Sequence, residues 1–252
     1  MAGTLRKKHN RILLLVLLCG ILIFTFAITV SLLPAKSVPP SDNPSVPPSS
    51  ESASQQPSEP SSTLTEEQLF TNAAFVGNSC VERLFVQGYA LQADFLSGVG
   101  LTVHSAFTEP PARLDQPITQ LLASEKQYAR IFILFGINEV GNDPDQFIDQ
   151  YGVLIDHIKA SQPQAQIFVQ SIFPVTRATH ERNLYLVNND NIRLFNDRIQ
   201  QMAEQKEIHY LDVYQALVNT EGFLPDDAST DGVHLSKSYN QIWINYLKEQ
   251  VT

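Results

Sequence analysis

The run Arg-Ile-Phe-Ile-Leu-Phe at residues 130–135 is the clearest strand in the sequence, and it ends at Gly136. Its apolar residues are consecutive instead of alternating, which is typical of a strand buried on both faces of a parallel sheet. Other strands are predicted at 73–77, 93–96, 166–173 and 208–213, and helices at 81–91, 143–161, 188–205 and 236–250. This alternation predicts an α/β fold with helices on both faces of a parallel sheet.

Polar and glycine-containing segments follow four of these strands. In open parallel sheets, ligands bind in the crevice beyond the carboxyl ends of the strands. The residue types present there suit a nucleophile, a base with a carboxylate partner, and donors to an oxyanion. The four segments are Phe75-Val76-Gly77-Asn78-Ser79, Ser97-Gly98-Val99-Gly100, Gly136-Ile137-Asn138-Glu139 and Asp231-Gly232-Val233-His234.

In this order the segments resemble the four sequence blocks of the SGNH, or GDSL, hydrolases, which are named for serine, glycine, asparagine and histidine. The second block is matched by Gly100-Leu101-Thr102, and the resemblance extends from Phe75 to about Leu235. It implies a three-layer α/β/α sandwich with a mostly parallel, flavodoxin-like central sheet. It also implies a serine esterase or acyltransferase that acts on a small ester or an acylated glycan and needs no cofactor or metal.

The residue types and the resemblance assign the same catalytic roles. Ser79 Oγ would attack an ester carbonyl, and His234 would take its proton and return it to the leaving alcohol. Asp231 would hold the imidazole in the productive tautomer. Asn78 stands where the family has an aspartate, and this departure motivates the alternative of a non-catalytic glycan-binding or scaffold domain with the same fold.

The resemblance also predicts an oxyanion hole. The backbone N–H groups of Ser79 and Gly100 and the side-chain amide of Asn138 would receive the negative charge. Gly98 is the alternative to Gly100, which is preferred because Gly-Leu-Thr-Val resembles the second block better. Glu139, the acidic residue that follows the block-three asparagine, is the second departure from the usual family pattern.

Four further alternatives stay open at this point. Ser79 alone would be typical of a helix N-cap, and Cys80 beside it is a rival nucleophile because a helix start can lower the pKa of a thiol. A lysophospholipase-like lipid esterase would need a long apolar groove. Hydrolase and transferase differ only in whether water or a sugar hydroxyl reaches the acyl-enzyme.

The N-terminal region has a different composition. Residues 12–33 form an uncharged apolar run of 22 residues, which at about 1.5 Å per residue is long enough to cross a bilayer. Four basic residues in segment 1–11 precede the run, so we expect a single-pass signal-anchor with a cytoplasmic N-terminus. A cleaved signal peptide is the competing interpretation, but the run is longer than a typical signal core. A lipoprotein modified at Cys19 is disfavoured by the preceding Leu18.

The remaining chain divides into a linker and one domain. Residues 34–63 contain 8 prolines and 10 serines, a composition that predicts a disordered, semi-stiff spacer. Residues 64–252 hold 12 Lys and Arg against 23 Asp and Glu, which gives a net charge of −11. This charge argues against nucleic acid as a partner. We therefore expect an extracytoplasmic domain on a membrane anchor.

Overall fold

The structure is a computed structural model that describes residues 65–90 and 92–251. The predicted basic segment at 1–11, the anchor at 12–33 and the linker at 34–63 lie outside the described residues. Within the described part of the chain, no helix has the length and apolar character needed to cross a bilayer.

A five-stranded parallel sheet lies at the centre of the described domain. Its spatial order is β2-β1-β3-β4-β5, and all four strand pairs are parallel. This is the doubly wound, flavodoxin-like order, and it confirms the predicted α/β class. The strands are β1 (Ala73–Gly77), β2 (Asp94–Ser97), β3 (Arg130–Leu134), β4 (Gln166–Gln170) and β5 (His209–Leu211).

Helices flank the sheet on both faces. Within the described residues they are α1 (Glu66–Phe70), α2 (Ser79–Val86), α3 (Ser105–Thr108), α4 (Ile118–Leu122), α5 (Pro144–Ser161), α6 (Arg177–Arg182), α7 (Asn189–Gln205), α8 (Val213–Leu217) and α9 (Lys237–Gln250). Short 3₁₀ turns lie at Leu184–Leu186 and Asp226–Ala228. Buried residues of α5 and α7 belong to one core, and those of α2 and α9 to the other. The three-layer arrangement thus follows from two cores that share one sheet.

The continuous apolar run of β3 supplies both cores. Ile131 and Ile133 point into the core beneath α5 and α7, whereas Phe132 points into the opposite core. Phe132 stacks between Phe75 and Phe168, with ring centroids 4.9 and 5.1 Å away. Successive side chains of a strand point to opposite faces of the sheet. Because both faces are buried here, every buried position is apolar and no alternation of apolar and polar residues is seen.

Strand β4 is shorter than predicted, because beyond Gln170 a side chain of α7 takes the backbone hydrogen bonds that a neighbouring strand would otherwise make. Asn196 of α7 accepts the N–H of Ile172 at 2.7 Å and donates to its carbonyl at 2.9 Å. The backbone therefore leaves the sheet just after Gln170. The predicted strand 208–213 is likewise shorter, because Asp212 caps a short helix, α8, that starts at Val213.

Candidate active site

Ser79 is placed by a tight passage from β1 into α2. A Cβ on Gly77 would lie 2.3 Å from the carbonyl oxygen of Leu134, so only glycine lets the two strands approach here. Asn78 caps α2, and its Oδ1 accepts the backbone N–H of Cys80 at 3.0 Å. The helix therefore begins at Ser79, two residues before the predicted start, and presents the Ser79 hydroxyl at its N-terminus.

A chain of two short hydrogen bonds joins the three residues that were predicted to form a triad. His234 Nε2 lies 2.8 Å from Ser79 Oγ, and His234 Nδ1 lies 2.7 Å from Asp231 Oδ2. The structure thus brings together residues that are 155 positions apart in sequence. With Nδ1 donating to the carboxylate, the neutral imidazole presents Nε2 as an acceptor to the serine hydroxyl.

Asp231 is held as a charged acceptor. Its Oδ1 accepts the backbone N–H groups of Val233 and His234, both at 2.9 Å, and the hydroxyl of Ser229 at 3.1 Å. Partial burial raises the pKa of the Asp231 carboxyl, but hydrogen bonds from the side chain and backbone of His234 and from Val233 outweigh it and hold the pKa well below its usual range. The carboxylate therefore stays ionised and keeps its second oxygen for the imidazole.

Two further residues support this turn: Ser229, which was not predicted, and Gly232, which lies within the predicted fourth segment. Ser229 Oγ accepts the N–H of Gly232 at 2.9 Å while its hydroxyl donates to Asp231. Gly232 has a φ of +86°, and a Cβ there would lie 1.9 Å from Thr179 Oγ1. The available sequence signal was the Ser-Thr-Asp-Gly turn itself, since serine and aspartate at such spacing bond their own backbone.

The predicted oxyanion side is built from the loops after β2 and β3. Asn138 Nδ2 donates to the carbonyl of Leu101 at 2.8 Å, which uses one of its two amide hydrogens and leaves the other for a ligand. The N–H of Gly98 donates to the carbonyl of Gly77 at 3.2 Å, so it is already engaged. Gly100 lies further along the same loop at a φ of +76°. These contacts favour Gly100 over Gly98 as the donor from this loop.

Glu139 links the loop after β3 to the loop after β2. It is buried, and its Oε1 accepts the N–H of Val103 at 2.7 Å, while its Oε2 is buried without a hydrogen-bond partner. Burial raises the pKa of the Glu139 carboxyl from 4.5 to about 7, although backbone hydrogen bonds, the first from Val103, oppose the shift. This tie between the loops was not predicted, because nothing in the sequence shows which backbone group a buried carboxyl will reach.

The raised pKa of Glu139 predicts a pH-dependent stability. Since the folded pKa of about 7 exceeds the ordinary 4.5, the native state holds an extra proton between these values, and stability falls as pH rises through this window. We therefore compare the free energy of unfolding in urea of Glu139→Gln with that of the wild type at several pH values. The difference between the two should shift in favour of Glu139→Gln by up to about 3 kcal/mol from pH 4 to pH 8, because only the wild type carries a carboxyl that must ionise in a buried position. Exposed Glu125→Gln is the control, and a pH-independent difference between Glu139→Gln and wild type would contradict the assignment.

Cys80 does not share the environment of Ser79. Its side chain is buried in the core beside α9, and burial raises the pKa of its thiol to about 12. A neutral, inaccessible thiol is a poor nucleophile. The structure therefore places Cys80 as a packing residue. Elsewhere in the described residues, no group of three or more His, Cys, Asp or Glu side chains is arranged to hold a metal ion.

Comparisons with solved structures show the same fold. A GDSL-like lipase from Bacteroides thetaiotaomicron is 18% identical, with 75% of this chain and 90% of that chain covered and a TM-score of 0.56. A carbohydrate esterase family 3 protein from Talaromyces cellulolyticus is 16% identical, with 72% and 96% covered and a TM-score of 0.53. An acetyl esterase mutant is 15% identical, with 72% and 94% covered and a TM-score of 0.50.

The sequence itself identifies the family. A comparison with curated proteins finds no match. The model of the GDSL-like lipase/acylhydrolase family, however, matches residues 72–242, which include all four sequence blocks. This match covers well over half of the chain. The chain therefore belongs to the GDSL-like lipase/acylhydrolase family and is an ester-bond hydrolase.

Proposed function

We propose that this protein is an extracytoplasmic serine esterase or acyltransferase that acts on acetyl esters of glycans. The observation that carries the proposal is the 2.8 Å hydrogen bond between Ser79 Oγ and His234 Nε2, continued at 2.7 Å to Asp231. A histidine oriented in this way can accept the serine proton as the hydroxyl attacks. The same geometry favours an enzyme over a non-catalytic binding domain, for which we would expect His234 to be turned away from Ser79.

In the proposed mechanism, Ser79 Oγ bonds to the ester carbonyl carbon while its proton moves to His234 Nε2. The tetrahedral intermediate then collapses, the bond to the leaving alcohol breaks, and Nε2 returns the proton to that alcohol. Water, or a sugar hydroxyl in a transferase, attacks the acyl-enzyme by the same route and releases Ser79. Asp231 remains ionised throughout and stabilises the imidazolium that forms in each half-reaction.

The proposed oxyanion hole supports both tetrahedral intermediates. The backbone N–H groups of Ser79 and Gly100 and the free amide hydrogen of Asn138 would donate to the oxygen that becomes negative. Each such donor typically lowers the barrier by about 3 kcal/mol. Glu139 would keep the loops that carry Gly100 and Asn138 in register through its bond to Val103.

The choice of an acetylated glycan has two supports. The fold neighbours include a carbohydrate esterase and an acetyl esterase, which act on the substrates that their names state. The apolar run at 12–33 and the Pro/Ser-rich segment at 34–63 further suggest a domain held outside the cell membrane, where such glycans lie.

The proposal is tested with a substrate panel on the full-length chain purified in detergent. We expect turnover of p-nitrophenyl acetate, a fall in kcat/KM from acetate through butyrate to octanoate, and acetate release from O-acetylated oligosaccharides. Buffer without protein and urea-unfolded protein give the background. A clear preference for octanoate would favour a lipid esterase instead, and no turnover of any ester would favour the non-catalytic binding domain.

A further inference from the structure

The loop 183–187 between α6 and α7 combines exposed apolar side chains with a strained backbone. Leu184, Tyr185 and Leu186 are 54%, 82% and 50% exposed. Asn183, Tyr185 and Leu186 have φ values of 47°, 55° and 60°, in the left-handed region that bulky residues avoid. The left-handed backbone costs folding free energy, and such strain is concentrated in proteins at ligand clamps and active sites. The exposed apolar side chains contribute little to folding, and contiguous apolar surface of this kind often marks a binding site.

Polar side chains of α7 and its cap hold this loop in place. Buried Asn188 donates Nδ2 to Asn183 Oδ1 at 2.7 Å and to the carbonyl of Leu186 at 3.2 Å. Asn191 Nδ2 donates to the same Leu186 carbonyl at 2.9 Å. Because these bonds and the 3.3 Å bond from the Leu186 N–H to the Asn183 carbonyl hold the chain on both sides of Tyr185, less backbone entropy is lost when a ligand binds to this loop.

The loop forms one wall of a cleft that reaches the proposed oxyanion hole. The cleft has a volume of about 480 Å³, within the range of small-molecule sites. A Cβ on Gly141 would lie 2.4 Å from the carbonyl oxygen of Tyr185, so this glycine permits the two walls to meet. The cleft is lined by Ile137, Asn138, Gly141, Asn142, Tyr185, Leu186 and Val187.

The residues that line the cleft favour a sugar over an ionic group or an acyl chain as its ligand. The lining contains no charged side chain, so it offers no counter-charge to a phosphate or an ionic headgroup. An acyl chain would cover the amides of Asn138 and Asn142 without hydrogen bonding to them, which is unfavourable. A sugar ring suits both kinds of group, because its C–H face can lie on the Tyr185 ring while its hydroxyls bond to the amides.

We propose that Tyr185 and the cleft beside it form a sugar-binding subsite for the glycan that carries the ester. This inference rests on the proposed function and adds the residue that recognises the sugar. Tyr185 contributes an apolar ring face at the edge of the cleft, and Asn142 contributes amide hydrogen bonds. Asn138 would then serve two purposes, as a contact to the bound ester and as one boundary of the subsite.

The test compares Tyr185→Ala, Tyr185→Phe and the control Ile242→Ala, an exposed apolar residue on α9, in the full-length chain. For acetylated gluco-, xylo- and chito-oligosaccharides, we expect Tyr185→Ala to lower kcat/KM about 10- to 30-fold, mainly through KM. Tyr185→Phe keeps the ring and should stay within about threefold of wild type. All variants should hydrolyse p-nitrophenyl acetate within about twofold of wild type, since this substrate has no sugar to bind.

Three outcomes would overturn the subsite. The first is an equal loss of kcat/KM in Tyr185→Ala on the acetylated oligosaccharides and on p-nitrophenyl acetate. The second is a loss confined to long-chain esters, and the third is an unchanged kcat/KM on all of the oligosaccharides. Calorimetric titration of these oligosaccharides into the Ser79→Ala chain, with and without Tyr185→Ala, separates sugar binding from catalysis. Binding that requires Tyr185 would support the subsite even if the wild type hydrolysed no ester. Binding to neither chain would overturn it whether or not p-nitrophenyl acetate is turned over.

Discussion

The Ser79→Ala variant is expected to lose about 10⁵- to 10⁶-fold in kcat on p-nitrophenyl acetate. The loss is this large because nucleophile and base act together, so that removing one of them costs about as much as removing both. Without Oγ no acyl-enzyme forms, and His234 has no hydroxyl to activate. The substitution removes a single oxygen at the first turn of α2, where the Asn78 cap and the Gly77 passage remain. Stopped-assay kinetics with circular dichroism on the same preparation would separate lost chemistry from lost folding.

Cys80→Ala is the matched control for this loss, because Cys80 is the neighbouring residue on the same helix. Its thiol is buried and its pKa is raised to about 12, so we expect kcat within about threefold of wild type. A small loss of stability, on the order of 1 kcal/mol, should follow from the removed sulfur. Activity that survived Ser79→Ala but was lost in Cys80→Ala would reverse the assignment of the nucleophile.

The Asp231→Asn variant is expected to lose about 10⁴-fold in kcat with its fold intact. Three donors, from Ser229, Val233 and His234, converge on Oδ1, so the amide oxygen of an asparagine must take that position. Its NH₂ group then faces His234 Nδ1 and can only donate to it. The imidazole is forced into the other tautomer, in which Nε2 carries the proton and cannot accept one from Ser79.

Asp227→Asn controls for the charge change, since Asp227 lies in the preceding 3₁₀ turn and its carboxylate accepts the Tyr239 hydroxyl at 3.2 Å. We expect this variant to keep near-normal kcat. Initial rates at saturating p-nitrophenyl acetate for both variants would decide the point. Equal, small losses in the two would show that Asp231 acts through net charge and does not orient His234.

The sheet and its long helices were predictable because their signals are strong. Buried parallel strands leave continuous apolar runs such as 130–135. Helix α5 is capped by Asp143, begins at Pro144 and keeps an apolar stripe as far as Ile158. Short helices such as α1 and α8 were not predicted, since five residues are too few to show a helical period. The ends of β4 and β5 depended on side chains of other elements, which sequence does not locate.

The site divides in a similar way. The positions of Ser79 and Asn138 could be predicted, because they follow β1 and β3 and strand ends meet at one edge of a parallel sheet. Asp231 and His234 reach the same edge, although α8 and a 3₁₀ turn separate them from β5. Ser229 and Glu139 could not be predicted, since their roles depend on which backbone groups they reach after folding. The loop 183–187 was not predicted either, because three of its residues have a left-handed backbone although none of them is a glycine. The hydrogen bonds from Asn188 and Asn191 that hold the loop form only after folding.

Covalent labelling by a fluorophosphonate tests the central claim, that His234 and Asp231 activate Ser79. Attack by the serine oxygen on phosphorus forms an oxygen–phosphorus bond and expels fluoride, with the serine proton passing to His234. Peptide mass spectrometry should locate one adduct on Ser79 in the wild type, at a rate that falls at least about 100-fold in Asp231→Asn. An adduct on another residue, or labelling of Ser79 that is equally fast in Asp231→Asn, would contradict the account.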